Sequence, residues 1–183
     1  MIIGGWRGPA WRITGADPSY AGRTRRWIAS AIARHGCPVE AAEAELVTGE
    51  LFANAVLYGP ILGQVLTGYC LWPTGARIVV CDGGGPAVPV LRRADDQAEG
   101  WRGLEIVSAL AARWGHFRLE GAQVVWCDLG QPLRAAPSDA WAWLGPVLAA
   151  CPLSPSAQPC ATVASCEPGA APGAVLAAGL AGA

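Results

Sequence analysis

Lysine is missing from this chain of 183 residues: all thirteen cationic side chains are arginine. The absence excludes P-loop phosphate binding, the nucleotide-holding lysine of ordinary protein kinases and Schiff-base catalysis, each of which needs a primary amine. The seven cysteines, at 37, 70, 81, 127, 151, 160 and 166, form no C-x-x-C pair and have no histidine ligands nearby, so neither a zinc site nor a disulfide framework fits. Reduced thiols in a cytoplasm are the simplest account. No basic segment precedes an apolar run at the N-terminus, and prolines interrupt the alanine-rich end before it could span a bilayer. The chain therefore reads as soluble, unprocessed and without a membrane partner. A net charge of −1 gives no field for steering nucleic acid, and Arg-Thr-Arg-Arg-Trp at 23–27 reads as a solvated helix face.

What is present is apolar: 52% of residues are hydrophobic and 15% charged, enough for one domain with a real core. Three glycines and a proline mark residues 1–10 as a loose arm before a short strand at 11–14. Asp17-Pro18 starts a helix that runs to Gly36, and a second helix spans 39–58, closed by Gly59 and Pro60. Segments 63–72 and 77–82 read as a strand hairpin around Pro73-Thr74-Gly75. A long irregular connection follows, and helical spacing returns at 103–115 with Leu104, Val107, Leu110 and Ala111. His-Phe-Arg-Leu-Glu, the turn Gly121-Ala122 and a last strand ending near Leu129 form a closing hairpin. Residues 131–183 hold three charged side chains among many alanines, prolines and glycines. They read as a mostly disordered tail with one short helix at Ser-Asp-Ala-Trp-Ala-Trp-Leu-Gly-Pro-Val-Leu. The domain is thus expected over 11–130.

Three segments carry chemistry. Within Gly-Glu-Leu-Phe-Ala-Asn-Ala at 49–55, advancing about 100° per residue from Leu46 puts Glu50 and Asn54 in one sector with Leu57, Val47 and Leu51, with Glu45 and Thr48 opposite. A carboxylate inside an apolar stripe costs several kcal/mol unless it pairs with an arginine or faces water, metal or ligand, and the helix alone does not choose between these. In Ile-Val-Val-Cys-Asp-Gly-Gly-Gly-Pro, Asp82 ends an apolar strand just before three glycines. Their backbone can approach a flat ligand while the acid accepts from an exocyclic amine. The spacing is not that of a dinucleotide-binding fingerprint, and Pro86 and Pro89 would interrupt the helix such a site requires. In Glu-Gly-Trp-Arg-Gly-Leu, Gly100 and Gly103 flank a helix start whose free amides can hold phosphate, with Arg102 adding charge.

In this order, Glu-Leu-Phe-Ala-Asn-Ala (50–55), Cys-Asp-Gly-Gly-Gly-Pro (81–86) and Arg-Gly-Leu-Glu-Ile-Val (102–107) with Ala-Arg-Trp-Gly (112–115) resemble the N box and the two glycine boxes of the GHKL, or Bergerat, ATPase superfamily, in the form written by actinobacterial anti-sigma-factor serine kinases. The resemblance spans about Trp11 to Leu129. It implies a two-layer α/β sandwich with a mixed, mostly antiparallel sheet and helices on one face. It also implies ATP and Mg²⁺ as cofactors: Asn54 holds the metal against the phosphates, Glu50 is general base or water positioner, and Asp82 reads the adenine amine. Gly84 and Gly103 give close backbone access, and Gly85, Arg102 and Leu104 complete the nucleotide contacts. The connection 87–99 corresponds to the ATP lid. In that branch the γ-phosphate passes to a serine of an anti-anti-sigma partner, leaving the kinase free to hold a sigma factor. The oligomeric state stays open, a homodimer included. Trp101 stands where the second box normally has glycine, and Val124 where the last strand often offers threonine. Both favour the alternative of a module that sequesters a regulatory protein without phosphorylating it. Tyr58 replaces a histidine common after the N box, and His35 and His116 read as element ends, not catalysts.

Overall fold

The computed structural model describes residues 7–60, 63–84, 102–131, 144–150 and 153. Five strands, β1 (Arg7–Gly15), β2 (Gln64–Trp72), β3 (Gly75–Asp82), β4 (Arg113–Leu119) and β5 (Ala122–Gly130), form one sheet in the order β1-β2-β3-β5-β4. Every pairing among the described strands is antiparallel, without the parallel component of a mixed sheet. Helices α1 (Ala21–Arg34), α2 (Ala41–Tyr58) and α3 (Arg102–Leu110) lie on one face, giving a two-layer α/β sandwich.

Local chemistry sets most boundaries. Asp17 caps a single 3-10 turn, Pro18–Tyr20, by accepting from the Ser19 N–H at 2.8 Å, and α1 follows. Arg23, Arg25 and Arg26 point to solvent as expected, while Ile28 and Ile32 are buried. The first strand begins at Arg7, earlier than the sequence suggests, because residues 7–15 pair along β2, with one irregularity between Arg7 and Ala10. Helix α3 ends at Leu110, short of the expected Gly115. Ala111 N–H still bonds back to Val107, but Ala112 N–H goes to the Asp128 carbonyl of β5, and from Arg113 the chain pairs as β4.

The interior strands are buried along their whole length because both faces of the sheet are covered. Alternation sorts their side chains. Val65, Tyr69 and Leu71 of β2 and Ala76, Ile78 and Val80 of β3 meet α1 to α3, whereas Leu66, Cys70, Val79 and Cys81 face the other way. On that second face they pack with α4 (Leu144–Ala150), which overlaps the end of the stretch 138–148 where a short helix is expected and runs two residues past it. Leu144 and Leu148, one turn apart, are buried there together with Leu153. Each such leucine removed from water contributes about 1.5–3 kcal/mol.

A buried ion pair crosses the same face. Asp128 takes Arg77 through two bonds, at 2.7 and 3.0 Å, and Arg113 through one at 2.7 Å, and the Arg77 guanidinium lies 4.6 Å over the Trp126 ring. The carboxylate is fully buried and the Arg77 side chain is nearly so, and deleting one partner strands charge in a low-dielectric interior. Asp128→Ala is therefore expected to lower the unfolding free energy by about 3–5 kcal/mol. The double variant Arg77→Met/Asp128→Leu is expected to recover most of that loss. Urea denaturation of the three proteins checks both.

Candidate functional site

Helix α2 forms the base of the site, but not in the orientation the sequence suggests. Its buried residues are Ala44, Val47, Thr48, Leu51, Phe52 and Ala55, spread over about 100–240° when Leu46 is zero. Leu46 and Leu57 are 45% and 64% exposed, and Thr48 is fully buried. The stripe anchored on Leu46 is thus the outer side, and Leu51 and Phe52, with the smaller Ala44, Val47, Thr48 and Ala55, meet the core instead. Glu50 and Asn54, near 40° and 80°, stand on the flank between core and solvent. Both are half-buried. Among the described side chains the ion pairs belong to Asp128, and Glu50 is part of neither.

Two glycines let other elements reach that flank. A β-carbon on Gly103 would lie 2.6 Å from Glu50 Oε2, so the first turn of α3 closes on the carboxylate only because this position has no side chain. The first amides of a helix have no partner within it, so backbone donors gather beside an acid. Leu104 supplies only its backbone here, since its side chain is buried in the core. One turn along α2, Asn54 Nδ2 is buried with no hydrogen-bond partner. A half-turn of the amide exchanges this nitrogen with Oδ1, and the site then presents an oxygen ligand.

At the other end, a β-carbon on Gly59 would lie 3.1 Å from Asp82 Cβ, which sets the acid against the close of α2. Glu50 and Gly59 are separated by about 13 Å along the helix axis at 1.5 Å per residue. Asp82 continues the even-numbered β3 positions that face the helices, and Oδ1 accepts the Gly84 N–H at 2.7 Å. Gly84 has φ +74°, a left-handed conformation that side chains rarely adopt, and a β-carbon there would also strike the Gly121 carbonyl. Asp82 is 8% exposed, and this burial raises its pKa above the ordinary carboxylate value, against the lowering effects of the Gly84 N–H and of Arg118.

The register names a residue that sequence reasoning missed. Gln123 of β5 is the direct partner of Asp82, and Arg118 of β4 the partner of Gln123, so three polar residues form one row across three strands. Gln123 donates through Nε2 to the Phe117 carbonyl at 3.2 Å. Val124 instead pairs with Cys81 and packs on the second face, so its missing hydroxyl does not bear on Asp82. No local signal selects it, because β3 and β5 are separated in sequence by α3 and β4 and their register exists only in the assembled sheet. Gly85, Trp101, the Arg102 side chain and the connection 87–99 lie outside the described residues.

The donor set suits a nucleotide with magnesium. Among the described residues there is no group of three acids, histidines or cysteines that could hold a metal alone. Mg²⁺ is characteristically held by one or two protein ligands together with phosphate and water oxygens. A single amide with an unsatisfied buried end, next to a helix start and an acid, fits that habit.

The fold and site together define an α/β sandwich with an acid–amide pair midway along a helix and a glycine-flanked acid at its close. The model of the histidine kinase-like ATPase domain family matches residues 14–126, and the chain belongs to that family, within the GHKL superfamily. Among curated proteins no match to the chain is found.

The Asp82 pKa gives a pH prediction. A folded-state value above the unfolded one means that protonated Asp82 favours the fold; the contribution is complete below the unfolded value and is lost as pH rises through the folded value. Asp82→Asn keeps an acceptor for the Gly84 N–H and removes the titration. Its stability relative to the parent is expected to rise with pH across that interval and to level off above it. Urea midpoints of both proteins from acid to neutral pH measure the difference, and a pH-independent difference would refute the assignment.

Proposed function

We propose that the protein is an ATP-binding regulator of the anti-sigma type, a serine/threonine kinase that phosphorylates an anti-anti-sigma partner. The observation that carries this reading is the pairing of ends along α2. Glu50 lies where the start of α3 closes at Gly103, with Asn54 one turn further along α2, and Asp82 lies where α2 closes at Gly59. Family membership supports the nucleotide, and the geometry supports its orientation, phosphates towards Gly103 and base towards Asp82.

Bound Mg·ATP would supply a transferable phosphoryl group whose charge the metal spreads. Asn54 would give the metal its protein oxygen once the amide is turned. The unpaired amides at the head of α3 would hold phosphate oxygens. Glu50, at the solvent margin beside them, would accept the proton of an incoming serine hydroxyl, so that little beyond positioning and charge placement is asked of the chain. Asp82 would accept from an exocyclic amine while its other role, holding Gly84, keeps the turn in place. A cytoplasmic setting agrees with this chemistry and with the free thiols Cys37, Cys70, Cys81 and Cys127, and no helix among the described residues is long and apolar enough to cross a membrane. The alternative, a module that sequesters its partner without turnover, keeps Trp101 as its sequence argument and loses Val124.

Titration with labelled ATP and Mg²⁺, followed by a transfer assay on serine-bearing partners, tests the reading. Glu50→Ala is expected to bind nucleotide and lose about 10²-fold or more in transfer. Asn54→Ala is expected to lose the magnesium dependence of binding. Nucleotide binding by the parent with no transfer to any partner would favour the sequestering module. Gly103→Ala separates position from stability. Its β-carbon meets the flexible end of Glu50, so the melting temperature is expected to stay within a few degrees of the parent. Transfer is expected to fall because the carboxylate must move.

A further inference from the structure

The C-terminal segment meets the site from behind. Leu153 is 3% exposed and belongs to the apolar cluster of the second face, with Leu144 and Leu148 of α4. Its carbonyl oxygen reaches two separate turns. A β-carbon on Gly83 would collide with that oxygen, and one on Gly63 would lie 3.5 Å from it. Gly83 is bonded to Asp82 and precedes the left-handed Gly84, and it also faces Pro60, whose Cγ would be 3.0 Å from a β-carbon there. Gly63 closes the α2–β2 connection: its N–H bonds to the Pro60 carbonyl at 3.0 Å, and its own carbonyl accepts from Ala16 at 2.9 Å.

Leu153 thus touches both chain segments that bracket Asp82, the exit from α2 and the exit from β3, and touches them where neither carries a side chain. The described residues of these turns, 59–60, 63 and 83–84, lie outside helices and strands. The side of Asp82 that faces Gly59 is set by the first turn, and the bond from Gly84 by the second. We infer that Leu153, anchored through α4 on the second face of the sheet, is a positioning residue for the Asp82 end of the nucleotide site. The stretch that composition marks as tail would then act as a brace behind the base-reading acid. The inference rests on the nucleotide reading for its functional effect, although the brace itself does not.

The test uses full-length variants. Leu153→Asp puts a charge into the apolar cluster and should lift the residue off both turns. Leu148→Ala removes core volume from the same cluster without touching either turn. Hydrogen exchange followed by mass spectrometry, without nucleotide, is expected to show amides at 59–66 and 81–84 exchanging at least tenfold faster in Leu153→Asp, with those of α1 unchanged. In Leu148→Ala those turns are expected to stay within about twofold of the parent even if its melting temperature falls as far. Affinity for a fluorescent ATP analogue with Mg²⁺ is expected to weaken about tenfold in Leu153→Asp and less than twofold in Leu148→Ala. Equal effects of the two variants, or unchanged exchange at the turns in Leu153→Asp, overturn the brace. Failure of the parent to bind the analogue overturns the nucleotide reading instead, and exchange alone then judges the brace.

Discussion

The closeness of α2 to its neighbours at Gly103 and Gly59 is the constraint on which the site depends. A polar flank on a helix is ordinary. What makes this one chemical is that another helix begins against its acid, and a strand ends against its last turn, each at a glycine where a side chain would crowd the contact. The two contacts fix the ends of a span of about 13 Å, so the separation of the two acids is set by helical rise and not by loop conformation. Sites held by regular elements keep their geometry better than sites held by loops.

The sheet makes such closeness affordable in energy terms because it is packed on both sides. With β2 and β3 buried throughout, α2 rests on a surface that cannot yield, and Ala44, Thr48 and Ala55 bring the helix axis near it. On the second face the Asp128 pair with two arginines is less a source of stability than a demand for register. A one-residue slip of β3 on β5 would turn Arg77 towards the opposite layer and leave the carboxylate with half its partners. The same register puts Gln123 and Arg118 in line with Asp82.

Most elements were legible because their ends carry local signals: the Asp17 cap, the Gly59 stop, the Pro73-Thr74 turn and the strand alternation. The family was legible as well, since the residue types and order of the three segments carry it without any need for orientation. What failed to read was whatever depends on partners distant in sequence. The facing of α2 was misjudged because large apolar residues stand on both sides of the helix, Leu46 and Leu57 on one and Leu51 and Phe52 on the other, and burial is decided by which side meets the sheet. The end of α3 was misplaced because the competing acceptor, the Asp128 carbonyl, lies on another strand. Val124 drew attention from Gln123 because a one-residue offset in a strand reverses the face. Low charge and many prolines in the C-terminal stretch hid three leucines that find a surface only once the sheet exists.

Cys81 sits back to back with Asp82, its side chain turned to the second face with no exposed surface. Burial, with the neighbouring acid, drives its pKa far above the ordinary thiol value, so the reactive thiolate is suppressed while the strand stays in place. The sulfur therefore acts as a built-in seal on the strand that ends in Asp82. Modification there would record each moment at which the sheet parts, and an intact thiol would record that it had not.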